Sequence, residues 1–160
     1  TPAFGNFPAE NGVVRYGEEL HVGHRWYDAR AIDPLVPFGH GGSYTTFEWS
    51  EPTLTGEGTD VVVEVPVANV GDRAGSDVVQ VYVAQQKPPV LRPPKELAGF
   101  AKVHLEPGDR TVARVVLRTR NFARWDVAAH AWVVDPGAYD VVVAASAVDV
   151  RHRLRHVIVE

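Results

Sequence analysis

The chain has 160 residues and a mass of 17.5 kDa, room for one domain or for one domain with a piece of another, since single domains cluster near ~100–150 residues. Its 45% hydrophobic and 22% charged residues describe an ordinary globular chain able to bury a core. The absence of Cys excludes disulfides, thiolate metal sites and a cysteine nucleophile, and a net charge of -4 without a basic stripe excludes nucleic acid as a partner.

Charge divides unevenly along the chain. Residues 1–60 hold 3 of the 16 Lys and Arg and 9 of the 20 Asp and Glu, leaving 13 against 11 for residues 61–160, as expected of segments with different histories. No window approaches the ~18 consecutive apolar residues of a membrane span, so the expectation is a soluble protein without a membrane partner. Thr1 to Glu10 lacks the basic and apolar regions of a signal peptide. Without Met at position 1, the chain is expected to lack something upstream. Cytoplasmic and secreted locations both stay open.

Asn11 to Asp28 is mixed and Ile32 to Gly42 is a Pro/Gly loop. Neither has enough apolar periodicity for a core, so residues 1–50 need a host surface. They could drape over the rest of the chain or form the tail of a larger upstream domain. From Thr59 onward the pattern alternates. In Val61-Val62-Val63-Glu64-Val65-Pro66-Val67 every odd position is Val, the period of a half-buried strand. Pro66 cannot donate to a ladder, which predicts an edge or bulged strand. Turn-rich Asn69 to Gly75 leads into Asp77 to Gln85, with Val79, Val81 and Val83 on one face, and these two strands read as neighbours. Four prolines between Gln86 and Pro94 predict an extended crossover; a PxxP ligand is the functional alternative.

Lys95 to Leu105 and Arg110 to Arg118 flank Glu106-Pro107-Gly108-Asp109, a hairpin signal, with Ala113, Val115 and Leu117 facing in and Arg114 and Arg118 facing water. Phe122 to Val127, Ala131 to Val134, Tyr139 to Ser146 and Val150 to Val159 complete the set, the last with Arg151, Arg153 and Arg155 on one face. Seven or eight short strands between turns, without an amphipathic helical run, predict an all-β fold, a sandwich of the immunoglobulin or fibronectin III kind. Val63, Val65, Val81, Val83, Val115, Leu117, Val141 and Val143 are its expected core.

Several groupings could carry chemistry. His21/His24 and His152/His156 have the i, i+3 and i, i+4 spacings of a helical metal site, but neither segment reads as a helix, and on a strand i, i+4 spans about 13 Å. Glu18 and Glu19 pair carboxylates as glycosidases do, yet on an extended segment neighbouring side chains point apart, so one exposed and one salt-bridged carboxylate is the plainer reading. Gly39-His40-Gly41-Gly42-Ser43 follows Pro37-Phe38 rather than a strand entering a helix, which suits a tight loop with a close-approaching backbone better than a phosphate loop. Trp26, Tyr27, Phe38, Tyr44, Phe47 and Trp49 suit a domain interface, with sugar faces as the alternative.

Two blocks then resemble the C-terminal part of glycoside hydrolase family 3, the β-glucosidase-type enzymes. Val14 to Asp28, Val-Arg-Tyr-Gly-Glu-Glu-Leu-His-Val-Gly-His-Arg-Trp-Tyr-Asp, is similar to that family's Tyr-x-Glu-Gly-Leu-x-Val-Gly-Tyr-Arg-Tyr-Tyr-Asp segment. Pro37 to Phe47 is similar to its Pro-Phe-Gly-His-Gly-Leu-Ser-Tyr-Thr-Thr-Phe signature. Asn69 to Gly75, Lys95 to Phe100, Trp125-Asp126 and Pro136 to Tyr139 resemble the fibronectin III-like domain that follows in many members. Departures fall at Glu19, His24 and Gly42, where the family more often has Gly, Tyr and Leu.

The resemblance implies that residues 1–50 are the C-terminal segment of the family's α/β sandwich domain with its linker, and that residues 51–160 are the fibronectin III-like β-sandwich. It implies no cofactor. The Asp nucleophile and the Glu acid/base of the family belong to domains outside this chain, so the chain alone is expected to be inactive, with no catalytic or metal-binding residue. Its expected partners are the catalytic domains of the same enzyme, on the same polypeptide or a separate chain. The residues expected to dock them are Glu18, Arg25, Trp26, Tyr27, Asp28, Phe38, Gly39, His40 and Tyr44, with Glu18, Arg25 and Asp28 forming ion pairs to the host. A stand-alone module binding carbohydrate or a partner is the alternative.

Overall fold

A computed structural model describes residues 4, 5 and 9–159. A short helix α1 (His24–Arg30) comes first. It is followed by β1 (Phe47–Trp49), β2 (Thr53–Glu57), β3 (Asp60–Asn69), β4 (Gly75–Gln85), β5 (Glu96–Leu105) and β6 (Arg110–Leu117). A single helical turn α2 (Thr119–Phe122) then precedes β7 (Arg124–Asp126), β8 (Ala131–Val133), β9 (Gly137–Ala144) and β10 (Val150–Ile158). Every named pairing is antiparallel. β3 is flanked by β6 on one side and by β1 and β2 on the other, β10-β9-β4-β5 form the second sheet, and β7-β8 are a separate hairpin.

The core lies between the two larger sheets. Val61, Val63 and Val65 stand opposite Leu117, Val115 and Ala113 across the β3-β6 ladder, and all are buried against Val79, Val81, Val83, Val141 and Val143 of the other sheet. The eight expected core residues are all buried. Each fully buried aliphatic side chain contributes about 1.5–3 kcal/mol, so the period-2 register is strongly specified. Phe122 and Tyr139 meet edge to face at 5.5 Å. The Tyr139 hydroxyl donates to the Asp135 carbonyl, four residues upstream, at 2.6 Å, the geometry of a tyrosine corner.

Several expectations about partners are corrected. β3 and β4 lie in different sheets rather than side by side. So do β5 and β6: Asp109 N donates to Glu106 O to close the predicted turn, but the turn carries the chain across the sandwich and is not a hairpin. Alternation reports which face a residue occupies, not which strand lies beside it. The crossings are fixed by buried Asn69, whose amide donates to the carbonyls of Arg73 and Leu105 and accepts from Gly71 N and Thr45 Oγ1, using its full hydrogen-bonding capacity.

Pro66 sits in a central strand, not at an edge. Its carbonyl accepts from Ser50 N, and since N and C=O of a strand residue point to the same side, its donorless nitrogen faces the break where β1 hands over to β2. The sheets also begin earlier than residue 51, with Phe47–Trp49 paired to Val67–Asn69, and Phe47 and Trp49 pack, half-buried, against the sandwich core. Phe122 belongs to α2 and not to the strand expected over Phe122 to Val127.

The segment around His24, expected not to be helical, holds a seven-residue helix, with His24 its first residue and His21 outside it. β4 and β9 are buried on both faces. Tyr82, Val142 and Ala144 form a second cluster on the outer side, beneath α1 and the loop that follows it. α1 and the loop after it contact this outer face through His24, Asp28 and Gly39. Among the described residues no helix is long and apolar enough to cross a membrane.

Candidate functional site

The leading segment is held to the outer face of the second sheet by a continuous set of contacts. α1 starts after Gly23, at φ 65°, and ends at Ala31 in the left-handed region, where Ile32 N donates to Tyr27 O at 3.0 Å. On the face of α1 turned to the sheet, His24 stacks on Phe38 with ring centroids 4.5 Å apart and meets Tyr82 edge-on at 6.2 Å. Asp28 Oδ2 lies 2.6 Å from Lys95 Nζ, at the start of β5, and Arg25 is 4.0 Å from Glu96, whose other oxygen holds Arg92. Further along, Ala147 N donates to Phe38 O at 2.8 Å. Gln80 Nε2 donates to the carbonyls of Gly39 and Ala145 while its Oε1 accepts from the Tyr82 hydroxyl at 2.6 Å.

Gly39 is required here twice over. Its φ is 78°, and a Cβ would overlap the Gln80 amide, so the close-approaching backbone expected of this loop falls on Gly39. A Cβ at Gly41 or Gly42 would meet open space among the described residues.

The residues expected to dock a partner are divided between two situations. Glu18 is buried while Glu19 is exposed. Arg25, Trp26, Tyr27 and Asp28 are half-buried on α1, with the Arg30 guanidinium 4.6 Å from the centre of the Trp26 ring. The partners of Arg25 and Asp28 are Glu96 and Lys95 of this same chain. Phe38 is 48% and Tyr44 91% exposed, and His40 is exposed beside them with its backbone N–H donated to Pro37 O. Tyr16 (80% exposed), Leu20, Val22, Ile32, Leu35 and Val36 add to this open apolar surface.

Burial governs the titration of the groups beneath. It lowers the His24 pKa below its ordinary value; Asp28 opposes this, and the cations Arg25 and Lys95 add to it. Burial, helped by Asp28, pushes the Tyr82 phenol up to about 12, so it stays a hydrogen-bond donor. His24 Nε2 is buried without a hydrogen-bond partner, the one such side-chain atom among the described residues.

Elsewhere two features escape sequence reasoning. Arg124 bridges Asp126 and Asp135. Asp126 also accepts from Ala129 N, and that bond first, then Arg124, lowers its pKa. Asp126 is the last residue of β7 and Asp135 opens the Asp135-Pro136-Gly137 turn before β9, and that turn is the only signal the sequence offered. A polar cleft of about 540 Å³ between the Gly39–Ser43 loop and the sandwich is lined by Trp49, Asp77, Lys102 and Arg151 among others, and Trp49 Nε1 donates to Asp77 at 2.8 Å. No group of three or more His, Asp or Glu with metal-binding geometry occurs among the described residues.

Residues 77–147 match the fibronectin type III-like domain family. The β-glucosidase of Rhizobium radiobacter is 48% identical over 148 residues, 91% of this chain and 18% of that protein. Thermostable β-glucosidase B of Acetivibrio thermocellus is 41% identical over 153 residues, 93% of this chain and 20% of that protein. The Bifidobacterium adolescentis GH3 β-glucosidase structure superposes with a TM-score of 0.93 at 37% identity, over 98% of this chain and 23% of that one. The chain belongs to glycoside hydrolase family 3, as a C-terminal part that includes the fibronectin type III-like domain. This family 3 part spans about a fifth of the length of the curated relatives it matches. The departure at Glu19 now has a physical meaning: its φ is 51°, a left-handed backbone in which glycine, the family's usual residue there, is free of strain.

Proposed function

We propose that this chain is the accessory, structural portion of a β-glucosidase-type hydrolase acting on β-linked sugars, and that it breaks no glycosidic bond by itself. In this reading residues 1–50 are the tail of the α/β domain with its linker, whose last part adds β1 to the sheet, residues 51–160 are the rest of the fibronectin III-like sandwich, and the carboxylates that perform hydrolysis belong to the catalytic portion of the enzyme. The observation that carries the proposal is the open apolar surface of the leading segment. Tyr16, Leu20, Val22, Leu35, Val36 and Tyr44 are exposed on a segment that the Asp28–Lys95 pair and the Phe38–Ala147 bond fix to the sandwich, and exposed apolar surface of this kind marks an interaction surface.

Of Glu18, Arg25, Trp26, Tyr27, Asp28, Phe38, Gly39, His40 and Tyr44, six divide between two tasks. Arg25, Asp28, Phe38 and Gly39 hold the segment in place through Glu96, Lys95, Ala147 and Gln80. His40 and Tyr44 face outward to the partner. The test uses the Rhizobium radiobacter β-glucosidase with the stretch matching this chain removed. Adding this chain in trans restores hydrolysis of an aryl β-glucoside, while the chain alone gives none. Turnover by the chain alone that disappears on mutating one of its carboxylates overturns the proposal.

A second reading, carbohydrate binding by a free-standing module, draws support from the polar cleft, whose volume falls in the ~300–1,000 Å³ range of ligand sites and which offers Trp49 beside charged groups. Saturable quenching of tryptophan fluorescence by cellobiose, abolished in Trp49→Phe, would favour it.

A further inference from the structure

The polar cleft of about 540 Å³ is built by three parts of the chain. One wall is the 39–43 loop with Thr46 and Trp49 after it, a second is Asp77 and Lys102 of the second sheet, and the third is Asp149 and Arg151 around the β9–β10 turn. Because the first wall is the leading segment, the cleft exists only where that segment lies against the sandwich. Its polar lining is open to solvent: Thr46 and Lys102 are exposed, and the Asp149 and Arg151 side chains, paired at 2.8 Å, are 47% and 52% exposed. Half-buried Trp49 has already given its Nε1–H to Asp77, so its ring and not a donor is what it offers the cleft. The Arg151 guanidinium lies 5.8 Å from the centre of that ring. Lys102 has no ion-pair partner among the described residues.

We propose that this cleft binds a short neutral saccharide, held by Lys102 and by the Asp149–Arg151 pair against Trp49. The proposal rests on the carbohydrate reading above, though not on the chain being free-standing, and deepens it by naming the ligand class and its contacts. The class follows from the lining. Asp77 and Asp149 offset Lys102 and Arg151, so the cleft carries no net charge for an acidic or a basic ligand to complement. An apolar ligand would strip water from these four groups and return no hydrogen bond. A sugar hydroxyl both donates to a carboxylate and accepts from an ammonium or guanidinium group, and the C–H face of the ring covers an indole. Since the ligand then touches the 39–43 loop and the sandwich together, it also fastens the leading segment in place.

The test is calorimetric titration of this chain with cellobiose. Saturable binding is expected, weakened about tenfold by Lys102→Ala and by Arg151→Ala through the lost charged hydrogen bond. Arg155→Ala, an exposed arginine of β10 outside the cleft, is the control and binds as wild type does. All three variants keep the wild-type melting temperature, because none of these side chains is buried. Bound cellobiose slows amide exchange in residues 39–46 and 145–151, and glucuronate binds no more tightly than glucose. Saturable cellobiose binding that Lys102→Ala and Arg151→Ala both retain in full overturns the cleft assignment and leaves the carbohydrate reading standing. Tighter binding of glucuronate than of glucose overturns the neutral class. Absence of cellobiose binding by the wild type overturns both this proposal and the carbohydrate reading.

Discussion

The Asp28 carboxylate and the Lys95 ammonium meet at 2.6 Å with both side chains almost fully covered, and this pair joins the only helix of more than one turn among the described residues to the first residues of β5. Lys95 also lies 5.7 Å from the centre of the Tyr82 ring, so one cation serves both the leading segment and the outer face of the sheet. Removing one member leaves the other buried and unpaired. Asp28→Asn is expected to weaken the attachment by about 1–3 kcal/mol, seen as faster amide exchange over residues 24–38 while the β3 and β9 amides exchange as before. Equal acceleration throughout the chain would show that the segment does not open separately.

Tyr139 fixes the other end of the sandwich. Its hydroxyl bond to the Asp135 carbonyl closes the corner that precedes β9, and its ring packs on Phe122. Tyr139→Phe keeps the ring and loses the bond, with an expected loss of about 1–2 kcal/mol in denaturant unfolding; an unchanged midpoint would contradict this role.

The half-buried His24 imidazole makes the segment sensitive to acid. Its folded pKa lies below the ordinary 6.5, so the unfolded chain takes up the proton first, and stability falls as the pH drops below about 6.5. Above that pH both states are neutral and the contribution is flat. Between pH 7.5 and pH 5, His24→Phe is therefore expected to lose less stability than the wild type, in melting curves compared at the two pH values. A wild-type curve that falls no more steeply than the variant's contradicts the assignment.

Glu19 holds a left-handed backbone at φ 51°. Glu19→Gly removes strain of about 1–2 kcal/mol, offset in part by the greater freedom of glycine in the unfolded chain. The net gain is about 0.5–1 kcal/mol in equilibrium unfolding, and a loss of stability would show that the Glu19 side chain contributes more than its backbone costs.

How much of this was legible in the sequence depended on whether a feature is local. Val61 to Val67 and Ala113 to Leu117 declare their buried face by period two alone, and the structure buries them as expected. Partnership between strands is not local: the turns at Asn69 to Gly75 and Glu106 to Asp109 look like hairpin turns, and only the buried Asn69 amide, bonded to residues from Thr45 to Leu105, turns both into crossings between sheets. The covered outer face was visible in part, since Val141-Val142-Val143-Ala144 is apolar without alternation, as strands covered on both sides are. Beneath the leading segment, Lys95, Gln80 and Tyr82 carry no motif that marks them as its attachment points. They come together because β4, β5 and α1 meet in space, a relation set by the fold rather than by spacing along the chain.

The central claim, that residues 13–44 present a docking face on an otherwise self-sufficient sandwich, is tested most directly by hydrogen exchange of this chain alone and in the presence of the Rhizobium radiobacter enzyme lacking the matching stretch. The account predicts protection on adding the partner concentrated in residues 13–44 and around Val148, with β6 and the β7-β8 hairpin unchanged. Protection confined to β6 or to the β7-β8 hairpin, with residues 13–44 exchanging as in the free chain, would contradict it.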